Sequence, residues 1–291
     1  MNNTAWWMII FILILLILAA GEIYRETHTF RVRKYKIKTK KNIGMQNCVK
    51  VIFLSDLHNC VYGNKNDKLY KAIQAERPDM ILIGGDMLVA KEGSSVQEAL
   101  EFVKKLPNIC QVYYTNGNHE QRMKENTDIY GDTYERYKAK LENCGVCFLE
   151  NKAENIEKNG MKFSIYGLEL DSSVNRKFKK ADVTEKTVEE KIGKKGKDYS
   201  ILMAHNPAYM DAYKKWGADL ILSGHLHGGL VRCPGIGAVV TPQGFLFPKY
   251  SGEMRREGEQ TMVVSRGLGS HTINIRLFNM PEVIAIEVCG R

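Results

Sequence analysis

The chain has 291 residues, 44% of them hydrophobic, a formal net charge of +9 and a pI near 9.0. That length and apolar content exclude a minimal module or a disordered chain and suit one large α/β or all-β domain. The basic balance admits nucleic acid, a membrane surface or an anionic substrate as partner. The lysines and arginines crowd residues 25–50 and 176–197 without the interleaved aromatics of a base-stacking platform, so nucleic acid is the weakest of the three.

Residues 5–20, AWWMIIFILILLILAA, carry no charge, and with Gly21 and its flanks the apolar run is near the minimum for a bilayer span. A cleavable signal peptide is the competing reading, but MNNT lacks the positive start that such peptides use, and the apolar core is long. An uncleaved single-pass anchor is therefore expected, with Trp6 and Trp7 at one interface. The positive charges all follow the segment: Arg25, Arg31, Arg33, Lys34, Lys36, Lys38, Lys40 and Lys41. By the positive-inside rule the remaining chain is cytoplasmic, at the cell membrane, with this cluster against the anionic inner leaflet. Seven scattered cysteines, an odd number, argue against a disulfide framework and for a reducing compartment. The C-x-x-C of Cys144 and Cys147 reads as two small residues at a helix-to-strand turn. Three segments result: 1–24 the anchor, 25–46 a basic juxtamembrane stretch with a first edge strand, and 47–291 the main domain.

KYKIKTKK alternates as an edge strand with its lysines outward. Strand and helix patterns then take turns: VKVIFLSD, NDKLYKAIQAE, DMILIGGD, SVQEALEFVKKL, ICQVYYTNGN, TYERYKAKLENC, SILMAH, PAYMDAYKKW, ADLILSGH. The C-terminal part (AVVT, TMVVSR, INIRLF, VIAIEVC) reads mainly as strands. Alternation first and strands later predicts an α/β domain with mixed sheets. Residues 171–198 read as a charged surface loop with a short helix, VTEKTVEEKIG.

Five polar signatures close apolar runs: Asp56 and His58 in FLSDLHN, Asp86 in ILIGGDM, Asn118 and His119 in YYTNGNHE, His205 in ILMAHNP, and His225 with His227 in ILSGHLHGG. Singly each has an ordinary explanation, a capped turn or a core histidine; together and in this order they predict one site at the carboxyl ends of strands. Period two turns Asp56 and His58 the same way, and likewise His225 and His227. Carboxylates, imidazoles and one amide oxygen, without thiolate, suit Mn, Fe, Zn or Co, with Mn favoured. Asp56, His58, Asp86, Asn118, His205, His225 and His227 are too many donors for one ion and about right for two that share a carboxylate. Two ions roughly 3.5–4 Å apart clamp an in-line displacement at phosphorus and acidify a bridging water to hydroxide. His119, directly after a donor, is placed to protonate the leaving oxygen.

With these motifs the chain resembles the calcineurin-like metallophosphoesterase family, whose signature is D-x-H, G-D, G-N-H-[DE], a lone H, then G-H-x-H. The resemblance runs from about Val49 to the C-terminus and extends to a small membrane-associated bacterial branch through AHNP, SRGLG and IRLFNMPEV. It implies a four-layer α/β/β/α sandwich of two mixed sheets and hydrolysis of phosphoric ester or pyrophosphate bonds. It also implies one metal on Asp56, His58, Asp86 and His227, and a second on Asp86, Asn118, His205 and His225, with His119 catalytic. Val89 and Leu230 depart from the branch pattern, the second where a substrate contact would lie. A phosphorylated small molecule or a lipid-linked phosphate beside the bilayer is the expected substrate, and a monomer the expected state. The alternative is a catalytically silent scaffold of the same fold, which predicts eroded ligands. Arg266 and Arg276 are candidate phosphate contacts or structural ion pairs, and His271 is a candidate for reaching the site. Phe245, Phe247 and Tyr250 are candidates for roofing the pocket, touching lipid or filling the core.

Overall fold

The computed structural model describes residues 3–41, 47–175, 181–229, 231–233, 235, 237–241, 246–270 and 275–290. Leu230, Phe245 and His271 lie outside them. The first helix, α1 (Asn3–His28), is followed by β1 (Arg31–Thr39), β2 (Cys48–Leu54), α2 (Asp67–Ala75), β3 (Met80–Ile83), α3 (Gln97–Val103) and β4 (Gln111–Tyr114). Next come α4 (Asn118–Glu125), α5 (Thr127–Tyr130), α6 (Thr133–Glu142), β5 (Val146–Phe148), β6 (Lys152–Lys158) and β7 (Met161–Leu168). The chain continues with α7 (Glu185–Ile192), β8 (Tyr199–Ala204), α8 (Met210–Trp216), β9 (Leu220–Ser223), β10 (Val231–Cys233) and β11 (Gly237–Val240). It closes with β12 (Met254–Glu257), β13 (Gln260–Val264) and β14 (Glu282–Gly290).

Two six-stranded mixed sheets form, in the orders β1-β14-β2-β3-β4-β5 and β12-β13-β9-β8-β7-β6, with β10 and β11 as a separate ribbon. Side-chain alternation explains why they stack. Along β2, Val49, Val51 and Phe53 enter the core between the sheets, while Ile52 and Leu54 face a core shared with Leu69, Phe102, Tyr137 and Leu141 of α2, α3 and α6. On the far side, Leu202, Ile221 and Val264 of the second sheet pack on Val188 of α7 and Tyr213 and Trp216 of α8. Three cores between four layers give the expected α/β/β/α sandwich. Each fully buried Leu, Ile or Phe contributes about 1.5–3 kcal/mol. β1 is the edge, with Lys34, Lys36 and Lys38 turned to solvent as the lysine alternation predicts.

Helix α1 is long and apolar enough to cross a membrane, and Trp6, Trp7 and the aliphatic residues up to Leu18 are exposed. Its last turn is attached to the domain. Glu26 is buried, and its carboxylate accepts a hydrogen bond from the Asn279 backbone N–H at 2.8 Å.

Three expectations are corrected. Cys48 and Cys289 form a disulfide, against the expectation of none. They sit opposite each other in the antiparallel β14–β2 register, a pairing hidden by their 241-residue separation. Disulfides belong to oxidising compartments, so cysteine usage no longer speaks for a reducing one. Cys144 and Cys147 remain free cysteines at the α6–β5 turn. The end of INIRLF, Ile275–Phe278, is not a strand. There the buried Arg276 guanidinium donates to the carbonyls of Gly269 (2.7 Å) and Asn279 (3.0 Å), while Ile275 and Phe278 are exposed, which breaks the in–out alternation of a strand. Finally, the two ligand pairs D-x-H and H-x-H do not extend their strands, as the site geometry makes plain.

Candidate metal centre

β2, β3 and β4 lie side by side in the first sheet, and β8 and β9 in the second, with the first three strands parallel to one another and the latter two likewise. Their carboxyl ends therefore meet along one edge, where the loops carry Asp56, Asp86, Asn118, His205 and His225. Backbone close approach brings the loops together. A Cβ on Gly224 would lie 2.3 Å from Asp56 Oδ2, and one on Gly117 2.2 Å from Asp86 Oδ1. Only glycine fits at either place.

Asp56, His58, Asp86, His225 and His227 all adopt left-handed backbone, with φ between 47° and 68°. For residues with a Cβ this costs roughly 1–2 kcal/mol each. Strain on five candidate ligands is held by the surrounding hydrogen bonds and belongs to a functional site. It also overturns the period-two argument. His225 and His227 do not share a face; they join different groups.

Asp56, His58 and His227 form one group of converging donor atoms, and Asp86, His205 and His225 another. Asp86 links them: its Oδ2 is 3.8 Å from His58 Nε2 and 3.1 Å from His205 Nε2. Asn118 Oδ1 lies 2.6 Å from His225 Nδ1. All seven residues predicted as ligands are thus brought together, and Asp56, His58, Asp86 and His205 are buried.

Protons are fixed from behind. His58 Nδ1 donates to Leu88 O at 3.2 Å, His205 Nδ1 to Gly84 O at 2.7 Å and His227 Nδ1 to Gly269 O at 2.9 Å. A carbonyl only accepts, so each Nδ1 carries hydrogen and each Nε2 turns into the site. The Nε2 atoms of His58 and His227 then face each other at 3.1 Å, and the buried His205 Nε2 faces Asp86 Oδ2 at 3.1 Å. Lone pairs aimed at one another and at carboxylates are what a cation between them satisfies, so the residues fit divalent metal. Burial opposes charge on Asp86, yet the His205 and His119 imidazoles hold its carboxyl well below the usual range. Burial pushes His225 down to about 3 and keeps it neutral, as a ligand must be.

His119 is wired the opposite way. Its Nδ1 accepts the Ala90 backbone N–H at 2.8 Å, so its hydrogen is on Nε2. The ring is edge-on to His58 with centroids 4.9 Å apart, which keeps it at the cluster.

Sequence reasoning missed two positioning residues. Glu120, fully buried, accepts from the backbone N–H groups of Asp86 (2.8 Å), Met87 (2.8 Å), Leu88 (3.2 Å) and Gly117 (3.1 Å), and from Tyr114 Oη (2.8 Å). It pins the Asp86 turn to the Asn118 turn. Burial, then repulsion from Asp86, pushes its carboxyl up to about 7. The signal was present, since an acid three residues into a helix after glycine is half of a capping box. Asn279 is the other: its Nδ2 donates to His227 O at 2.6 Å and Gly229 O at 2.9 Å. No local pattern marks it.

Arg276 is tied to backbone carbonyls and takes the structural reading, whereas Arg266 bonds to Gly252 O and Glu253 outside the group of metal-ligand candidates. Tyr250 is buried beside α8, and Phe247 is 62% exposed.

Residues 49–229 match the family model of the calcineurin-like phosphoesterases. The chain is 26% identical over 260 residues to the uncharacterized metallophosphoesterase YkoQ of Bacillus subtilis, covering 89% of this chain and 90% of that protein. It is 25% identical over 243 residues to the phosphodiesterase YaeI of Escherichia coli, covering 82% of each. Among solved structures, the phosphopantetheinyl hydrolase PptH of Mycobacterium tuberculosis aligns at a TM-score of 0.45 and 12% identity, over 78% of this chain and 90% of that one. With the family model matched over more than half its length, the chain belongs to the calcineurin-like phosphoesterase family and is a metal-dependent phosphoesterase.

Proposed function

We propose that this protein hydrolyses phosphoric ester or pyrophosphate bonds with two divalent ions held on either side of Asp86. The observation that carries the reading is the placing of Asp86 Oδ2 between His58 Nε2 and His205 Nε2. Asp56, His58, Asp86 and His227 would hold one ion, and Asp86, Asn118, His205 and His225 would hold the other. When bound, such a pair supplies Lewis acidity toward the phosphoryl oxygens and an acidified water for in-line attack. Manganese is the favoured metal.

His119 holds a proton on Nε2 and delivers it to the leaving oxygen. The Ala90 N–H makes that tautomer the resting one, so no rearrangement precedes transfer. The intact donor set and the positioned acid favour an enzyme over a silent scaffold.

Helix α1 is proposed as a membrane anchor, and the substrate as a lipid-linked phosphate reached at the bilayer surface. The basic flank supports a cytoplasmic domain, whereas the Cys48–Cys289 disulfide argues for the other side. A C-terminal reporter active only in the cytoplasm supports the proposed orientation, and one active only outside reverses it.

The test of the chemistry is turnover of a chromogenic phosphodiester with added Mn²⁺. Asp86→Ala should lose both bound metal and rate. His119→Ala should keep metal and lose rate, most with poor leaving groups. A wild-type enzyme that binds manganese and turns over no phosphoester would end the proposal.

A further inference from the structure

Beside the GHLHGG loop is a cavity of about 480 Å³ lined by Arg232, Arg255, Arg266, Ser251, Glu253 and Phe278, none of them in the metal cluster. Arg232 and Arg266 are 5% and 9% exposed. They reach the cavity because each is braced by backbone: Arg232 Nη1 donates to Gly228 O at 2.9 Å, and Arg266 Nε to Gly252 O at 3.2 Å.

The charges around it do not balance. Arg31 and Arg33, on the edge strand that follows α1, act on the same two guanidiniums, so four positive charges gather here. Two carboxylates answer them. Glu282, buried, takes Arg33 Nε at 2.7 Å and Arg31 Nη2 at 3.6 Å. Glu253, 36% exposed on its side chain, is shared by Arg232 and Arg266, the latter at 3.6 Å. Positive charge remains in excess, and Arg255 on the lining adds to it. Burial first, then repulsion from Arg266 on Arg232 and from Arg33 and Arg31 on Arg266, holds both guanidiniums down to about 10. Uncompensated buried charge is costly and persists where something negative visits. A guanidinium fork is shaped for phosphate.

We propose that this cavity is a second anion site, separate from the metal centre, which takes a phosphate monoester dianion on Arg232 and Arg266, with Glu253 as its resident competitor. Its rim carries the exposed Phe278, next to Asn279, on which the last turn of α1 is fastened, so a phosphate at the bilayer surface is within the site's reach as well as one in solution.

The test uses the full chain in detergent, stripped of metal with EDTA so that the metal centre offers phosphate no cations. Inorganic phosphate is titrated calorimetrically against a chloride control of equal ionic strength. Saturable binding is expected, retained in Asp86→Ala and weakened about tenfold in Arg232→Gln. Because a buried arginine variant can fail to fold, the deciding variant is the half-exposed Glu253→Gln, which removes the competitor and should bind phosphate about tenfold more tightly. No binding beyond the chloride control, loss of binding in Asp86→Ala, or equal affinity in Glu253→Gln and the wild type would overturn the proposal. Repeating the titration in phosphatidylcholine discs with and without dioleoyl phosphatidate identifies the source. Competition by phosphatidate supports a lipid headgroup, and undiminished phosphate binding supports the soluble anion.

Discussion

His58 and His227, 169 positions apart, point their Nε2 atoms at each other across 3.1 Å, each with its Nδ1 hydrogen already given to a backbone carbonyl. Two ring nitrogens so placed repel unless a proton or a cation stands between them. The fold has fixed both rings from behind, so repulsion cannot be relieved by rotation. A cation there would relieve it and would take up Asp56 as well, whose Oδ1 is 3.6 Å from His227 Nε2.

Removing one side of this arrangement should leave the other. His227→Ala is expected to hold one ion where the wild type holds two, whereas Asp86→Ala, at the shared carboxylate, holds none. Elemental analysis after gel filtration reads the count. Both variants should lose at least about a hundredfold in turnover.

Glu120 offers a prediction about positioning. Glu120→Gln replaces one accepting oxygen with a donor facing backbone N–H groups, leaving part of the Asp86 turn unsatisfied. A loss of about 1–3 kcal/mol in the metal-free protein is expected, with metal affinity down about 10–100-fold. Denaturant unfolding and a manganese titration measure the two. Unchanged metal affinity would show that the turn holds its shape without Glu120.

Helix α1 is wired to the same loop, since Glu26 fixes Asn279 and Asn279 holds the carbonyls of His227 and Gly229. Asn279→Ala should weaken metal binding about tenfold or more through the His227 site. Glu26→Gln, which keeps an acceptor for the Asn279 N–H, should be milder than Glu26→Ala. Equal affinities in all three would sever the proposed link.

A pH effect is expected away from the metal. Burial opposes the Glu150 carboxylate, but hydrogen bonds from Lys138, Tyr134 and Lys124 hold it down to about 2, below its ordinary 4.5. A carboxylate depressed in the folded state stabilises the fold fully above the unfolded value. That stabilisation fades as pH falls from about 4.5 to about 2. Glu150→Gln should therefore cost about 1–3 kcal/mol at neutral pH, with the gap to wild type closing through that acid window. A gap independent of pH would contradict the charge-based account.

The strand-end motifs were legible because rigid sheets put donor residues in recognisable places, and the layered sandwich followed from the family resemblance that those motifs carry. Other features were hidden by distance. Cys48 meets Cys289 only because β14 inserts between β1 and β2, an ordering that no local pattern carries. The β6–β7 hairpin was passed over although its turn, Asn159-Gly160, is a left-handed pair of the kind that closes hairpins. Charged residues on β6 (KAENIEK) masked its period. His225 and His227 were assigned to one face because the strand was assumed to run on; β9 ends at Ser223, and left-handed turns then part them.

The central claim is a pair of ions sharing Asp86. Anomalous diffraction from manganese-soaked crystals tests it most directly. Two peaks flanking the Asp86 carboxylate, one beside His58 and His227 and the other beside His205 and His225, are predicted. A single peak, or none within coordination distance of Asp86, would contradict it.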